Sequence, residues 1–197
     1  MKGSAPHPSQ EEQDNVTILR PYFSKMKGTT SSPARVSIGE IFWSWLGSFL
    51  GIAAIGYIHY EILAQADLLM LVGSFGAAAV LLFAAPLSPL AQPRNFIIGN
   101  FLSALIGVAC YNYLGDHLWF AAAVAVSVAI AVMQATITLH PPGGATAIIA
   151  VIGSEKIHDL GYFYALMPIT TSVLLMLTIA LLINNLASKR SYPLYWL

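Results

Sequence analysis

A chain of 197 residues that is 57% hydrophobic and only 9% charged, with a mean hydropathy of +0.69, lacks the polar surface to cover a soluble domain of its size. Nine basic and nine acidic residues cancel, so no basic field points to nucleic acid, and one cysteine, Cys110, excludes an internal disulfide. The composition is that of an integral membrane protein, and its spans are to be sought as uncharged tracts.

Residues 1–36 are rich in Ser, Pro, Gln, Glu and Lys and cannot bury enough apolar surface to fold alone, so a flexible cytoplasmic tail is expected there. Tyr22 and Phe23 beside Lys25 and Lys27 suit a segment lying against lipid headgroups. About 40 mostly polar residues precede the first apolar run, which predicts that the first membrane helix itself directs insertion. The rest, 37–197, reads as one transmembrane domain.

The first span is predicted over 41–60, with Trp43 and Trp45 near one end and Tyr57 and Tyr60 at the other as interfacial anchors. The default role of Glu40, just before it, is to cap the positive end of the helix dipole. A second apolar stretch, 68–85, carries Gly73 and Gly76, where a break is expected, and stops at Pro86, Pro89 and Pro93. A third span over 95–114 carries the small residues Gly99, Ser103, Ala104 and Gly107, which let helices approach closely. Gly115 and Asp116 make a turn before the fourth.

Between Asp116 and Glu155 lie 38 residues without a formal charge. One helix of that length would be about 57 Å long, yet two spans of about 20 residues plus a turn do not fit. The arithmetic closes if 118–135 is a helix, 139–143 is extended and 144–153 is a short helix that completes a crossing. The backbone must break at His140-Pro141-Pro142-Gly143-Gly144, because the prolines lack N–H groups and the glycines allow positive φ and close approach. A half-helix starting there would turn free N–H groups toward His140, an anion-attracting geometry. The last span is predicted over 162–186, followed by Lys189, Arg190, Tyr192, Tyr195 and Trp196 as anchors.

Six crossings with both termini in the cytoplasm put Glu61, Asp67, Asp116, Glu155 and Asp159 outside with Lys156 as their only basic companion. The rival topology has four full helices and two re-entrant segments. Gly76-Ala-Ala-Ala-Val-Leu-Leu matches Gly144-Ala-Thr-Ala-Ile-Ile-Ala at an offset of 68 residues, so each half holds three segments and the halves are inverted repeats with paired broken segments. The fold class expected is therefore an all-α membrane protein of six segments.

His140-Pro141-Pro142-Gly143-Gly144-Ala145-Thr146-Ala147, together with Leu81-Leu82-Phe83-Ala84-Ala85-Pro86 running into Ser88-Pro89-Leu90-Ala91-Gln92-Pro93-Arg94-Asn95, resembles the HPP family of integral membrane proteins over most of residues 20–197. That family is usually described with four membrane helices, and some members in cyanobacteria and chloroplasts are nitrite transporters. The resemblance implies nitrite or a similar small inorganic anion as solute and the inner membrane of a bacterium or cyanobacterium as location. One departure is Leu87, where a polar residue, often His, is expected.

No Lys or Arg lies inside a span, so a positive site must come from helix dipoles, and two facing N-termini at Gly76 and Gly144 would supply about one unit of charge. The residues expected to bind the anion are His140, Pro141, Pro142, Gly143, Gly144, Thr146, Gly73, Ser74, Gly76, Gln134 and Asn100. Ser74 and Thr146 add hydroxyl donors, while His140 either donates a hydrogen bond or couples proton uptake to anion entry. Gln134, Asn95 and Asn100 line a polar path or hold helices together. His59 and His117 belong to the interface. No His, Cys, Asp or Glu cluster has metal-ligand spacing, and no cofactor is expected. An enzyme is disfavoured because His140 has no nucleophile or acidic partner, whereas a scaffold or sensor remains the alternative. The bilayer is the expected partner, and a homo-oligomer is expected because six short segments make a thin wall around a path.

Overall fold

Every regular element is helical in the computed structural model, which describes residues 32, 35–58 and 69–197, the side chains of 69–72 excepted. The tail segment at Tyr22 and Phe23 and the residues His59, Tyr60, Glu61 and Asp67 lie outside the described residues.

Helix α1 spans Ile38–Tyr57, and Ser37 sets its start: the hydroxyl Oγ accepts the Glu40 N–H at 3.3 Å. The helix begins before the uncharged tract because Ser37 performs the capping and leaves the Glu40 carboxylate free to pair with Arg190.

Helix α2, Leu69–Ala79, continues as a wider π-helical turn over Val80–Ala84. This corrects the expected break at Gly73 and Gly76, which both lie within unbroken helix. Glycine permits a break without imposing one, and in an apolar tract an opened backbone group costs more than helical glycine. The irregularity falls later, where Pro86 cannot continue the hydrogen-bond ladder. There Leu82 O accepts from Asn184 Nδ2 at 3.0 Å, and Phe83 O accepts from Ser44 Oγ at 2.7 Å and Arg190 Nη1 at 3.0 Å.

A 3-10 turn at Pro89–Ala91 leads into α3, Pro93–Leu114; a second at Gly115–His117 leads into α4, Leu118–Ala135. Ile137 closes α4 at φ 56°, with its N–H bonded to Gln134 O and the Thr138 N–H to Met133 O. That left-handed position usually holds glycine, so a β-branched residue there is strained. Helix α5, Pro142–Ile152, starts two residues before the sequence places it and includes both glycines, neither of which has positive φ. A short α6, Glu155–Asp159, forms the next connection. The final span is kinked: Ala165–Thr170 is a π-helical turn in which Met167 leaves helical geometry before Pro168, and α7 runs over Thr171–Leu186.

Among the described residues, three helical tracts are long and apolar enough to cross a membrane, Ile38–Tyr57, Pro93–Ala135 and Ala165–Leu186; Gly73–Ala84 and Pro142–Ile152 are shorter apolar helices. The second tract is folded at Gly115–His117 into α3 and α4, which pack against each other. The chain is an all-helical membrane-type protein.

Contacts along α3 give the direction of its neighbours. A Cβ on Gly99 would lie 2.6 Å from Thr138 O, one on Gly143 2.7 Å from Ser103 Oγ, and one on Gly107 2.5 Å from Ala147 O. Further along, Tyr111 stacks on His158 at 3.6 Å. The leg from Thr138 and the helix after it therefore run alongside α3 in the same direction. Helix α7 runs the other way: Tyr164, ahead of it, reaches Thr146 O, and beyond it Tyr192 reaches Ala91 O. Arg94, at the start of α3, donates to Thr136 O at the end of α4.

Candidate functional site

The centre of the bundle is polar where its helices are otherwise apolar. Helix α5 packs against α2, α3 and α4, and its first two turns carry Thr146 into full burial. Close approach is possible because Gly99, Gly107 and Gly143 carry no Cβ on the faces that meet. Around Thr146 gather Ser74 from α2, Asn100 from α3 and Tyr164 from the segment before α7, all buried.

Hydrogen bonding in this cluster has a direction. Asn100 Nδ2 donates to Phe96 O at 2.8 Å, which leaves Oδ1 to accept from Thr146 Oγ1 at 2.8 Å. With the Thr146 hydroxyl hydrogen on Asn100, the one hydrogen of Ser74 Oγ is shared between Pro142 O at 3.0 Å and Thr146 Oγ1 at 2.8 Å. The Tyr164 hydroxyl donates to Thr146 O at 3.2 Å. Thus Ser74, Thr146 and Asn100 form a hydrogen-bonded chain tying α2, α5 and α3 together.

His140 sits on the extended leg before α5 and is fully buried. Its Nδ1 lies 2.9 Å from Leu90 O in the 3-10 turn before α3, and its ring packs against Phe96 with centroids 5.1 Å apart. A carbonyl oxygen only accepts, so Nδ1 carries the hydrogen, and the neutral ring presents a lone pair at Nε2. Among the described residues, His140 Nε2 and Ser154 Oγ are the buried side-chain polar atoms without a hydrogen-bond partner. Next to His140, Asn95 Nδ2 donates to Leu139 O at 2.9 Å and fixes the leg to α3.

The N–H groups at the start of α5 are not free as the sequence suggests. Pro142 has none, Gly143 N–H donates to His140 O at 2.9 Å, and Gly144 N–H donates to Pro141 O at 3.0 Å. The proline-rich entry is tight enough to close a turn on itself, which consumes the donors that an anion would use.

The expected residues thus divide. His140, Pro142, Gly143, Thr146, Ser74 and Asn100 are brought together in the interior; Pro141 is exposed and Gly144 half-buried at the same turn. Gly73 is exposed, and Gly76 lies inside α2 with no atom within 4 Å of where its Cβ would be, so two facing N-termini at Gly76 and Gly144 do not exist. Gln134 lies exposed near the end of α4, outside the cluster. Sequence reasoning missed Leu90, which lies in the 88–95 run but acts through its backbone oxygen, Phe96 and Tyr164, which lie in no motif, and the pairing of Arg190 with Glu40 at 2.8 Å. No group of His, Cys, Asp and Glu able to hold a metal ion occurs among the described residues.

Comparison with known proteins agrees with this architecture. The model of the HPP family's transmembrane region matches residues 33–193. Two proteins of Dictyostelium discoideum, both named as transmembrane proteins, are similar to the chain. One is 45% identical over 178 residues, covering 89% of this chain and 57% of the relative, and the other is 47% identical over 180 residues, covering 89% and 63%. The chain therefore spans about three fifths of the length of these relatives. No solved structure matches it.

Proposed function

The chain belongs to the HPP transmembrane family, and from that premise we propose that it is a membrane transporter or channel for a small monovalent anion, nitrite first, with the path running past His140 at the start of α5. The observation that carries this reading is the buried polar cluster of Ser74, Asn100, Thr146 and Tyr164 beside a fully buried His140 whose Nε2 is unpartnered. An ionisable side chain inside a membrane bundle is expensive and is kept where it meets a solute or a proton. The bond to Leu90 O ties the leg to the 3-10 turn through Nδ1, and that structural role leaves the unpartnered Nε2 to be explained.

The reading includes six membrane segments arranged as two inverted halves, α1 to α3 and α4 to α7. Two sets of contacts support it. Under the 68-residue offset α2 is the counterpart of α5 and α3 of α7; the pairs α1 with α7 and α4 with α3 both pack, as do α2 with α5 and α3 with α7. The chain keeps one direction alongside α3 from Gly99 to Tyr111, which supports a crossing segment over one that turns back. A path at the interface of such halves is the usual place for a transported solute.

Purified protein in liposomes tests the reading. Nitrite should enter faster than into protein-free vesicles, and a series of nitrite, nitrate, formate and chloride should rank the solutes. Uptake equal to that of empty vesicles for all four would leave a scaffold or sensor as the function.

A further inference from the structure

We propose that the species passing His140 is a small weak acid in its protonated form, or equivalently one anion accompanied by one proton, and that a bare anion is excluded. This rests on the transport reading above and names its solute class.

The argument is one of donors and acceptors. Leu90 O fixes the hydrogen on Nδ1, so Nε2 is an acceptor in the neutral ring. At the turn that carries it, Gly143 and Gly144 N–H donate to His140 O and Pro141 O and Pro142 has no N–H; the Thr146 hydroxyl donates to Asn100 Oδ1, and Asn100 and Asn95 each place one amide hydrogen, on Phe96 O and Leu139 O, so Nε2 itself receives no hydrogen bond. The free valence at this point of the path is a buried lone pair, which repels a bare anion and accepts from an O–H.

Charge points the same way. Helices α2, α4 and α5 carry no titratable side chain over their described span, and neither does the Pro89–Ala91 turn. Nearby, the Arg94 guanidinium donates to Thr136 O, the Tyr192 hydroxyl to Ala91 O and the Tyr164 hydroxyl to Thr146 O. Cys110, Tyr111 and Tyr113 lie at the far end of α3. Arg94 keeps its charge, but it is half-buried at the start of α3 and its hydrogen bond goes to Thr136 O, so among the described residues no cation is hydrogen-bonded or ion-paired at Nε2 to neutralise an unaccompanied anion, whose desolvation in the membrane interior is costly. A neutral acid HX avoids that cost.

The proton is conserved through the step. HX arrives and its O–H donates to Nε2; if the proton transfers, the ring becomes an imidazolium with N–H at both nitrogens and X⁻ remains bound to it. On exit Nε2 returns the proton, and HX leaves with the histidine restored. Either way one proton travels with one anion. Nitrite and formate are anions of weak acids and meet this condition, whereas nitrate and chloride, as anions of strong acids, do not.

The test counts protons. Liposomes containing the full chain and a luminal pH dye receive sodium nitrite, formate, nitrate or chloride, and flux is read against protein-free vesicles because weak acids also cross bare lipid. The lumen should acidify by one proton per nitrite or formate, with no effect of an imposed membrane potential. Lowering the external pH from 7 to 6 at constant total nitrite should raise the initial rate about tenfold below saturation. Nitrate and chloride should give no flux above background. His140→Phe, which removes the acceptor while keeping an aromatic ring, should lose about tenfold or more. If that variant elutes as aggregate, the wild-type proton count still decides.

Nitrite entry that carries net charge, follows the membrane potential and leaves luminal pH unchanged overturns the proposal while the anion pathway stands. Equal flux of nitrate or chloride overturns it in the same way. An ammonium pulse that alkalinises the lumen while no weak acid enters also overturns it and points to a different neutral solute. No flux for any anion or acid removes the transport reading itself.

Discussion

At the scale of single residues, four glycines in and around the motif have different jobs, and the difference is measurable. A methyl on Gly99 would meet the Thr138 carbonyl at 2.6 Å, which is backbone and cannot rotate away. A methyl on Gly143 meets Ser103 Oγ at 2.7 Å and Met133 Sδ at 3.1 Å, both on side chains that can shift. Gly144 has Val126 at 3.8 Å, an ordinary contact, and Gly76 has nothing within 4 Å. In thermal unfolding followed by size exclusion in detergent, Gly99→Ala should be the most damaging, at roughly 1–3 kcal/mol of overpacking, with Gly143→Ala intermediate. Gly144→Ala should be neutral, and Gly76→Ala should gain up to about 1 kcal/mol from helix propensity. If Gly144→Ala proves as damaging as Gly99→Ala, the packing of α5 on α3 and α4 is not as described. His140 stands apart because its neighbours hold one nitrogen and leave the other free, so its role depends on the tautomer that Leu90 O imposes.

At the scale of elements, the π-helical turn that ends α2 is held by a set of groups from distant parts of the chain. Its widened geometry frees the carbonyls of Leu82 and Phe83 inside an apolar bundle. Asn184 near the end of α7 and Arg190 beyond it satisfy them, and Ser44 adds a bond from α1. Arg190 is the centre: its side chain is 4% exposed and donates to Glu40 Oε2, Glu40 O, Ser44 Oγ, Phe83 O and Asn184 Oδ1. The five bonds match the fork of guanidinium donors, which an ammonium cannot reproduce. Arg190→Met should cost roughly 2–4 kcal/mol by leaving buried acceptors unpaired, a fall in melting temperature of about 5–15 °C. Arg190→Lys should recover part of the loss. Glu40→Gln should cost less than Arg190→Met, because the Glu40 side chain is 34% exposed and its amide oxygen can still accept. Equal losses for the two would mean that the ion pair, and not the carbonyl bonds, holds the turn.

At the scale of the whole molecule, charge follows the ends of the bundle. The starts of α1 and α3 and the ends of α2, α4 and α7 share one end, which carries Arg94, Lys189 and Arg190. Asp116, Glu155 and Asp159, with Lys156, lie in the connections toward the other end. The positive-inside rule predicts that the basic end faces the cytoplasm. Leu87, 61% exposed in the turn at that end, is a better reporter than its half-buried neighbour Ser88. In a Cys110→Ala background, Leu87→Cys should react with a membrane-impermeant maleimide from the cytoplasmic side only. Labelling from the opposite side would reverse the orientation, and an added cysteine at Asp159 labelled from the same side as Leu87 would make the α5 segment re-entrant.

Much of this was legible one residue at a time. Hydrophobic tracts and turn residues placed α3 and α4 to within two residues, because in lipid every backbone group must bond within its own helix and uncharged length translates directly into span. Two prolines fixed the entry to α5 for the same local reason, and the family followed from the motif around them. What the chain does between its helices was decided by packing. Gly143 and Gly144 spend their N–H groups on the carbonyls of His140 and Pro141, three residues back, while which nitrogen of His140 keeps a hydrogen and what satisfies the π-helical turn depend on partners far away in sequence, Leu90 and Arg190. A hydrogen bond between two such groups has no periodicity to read, so only the folded bundle assigns it.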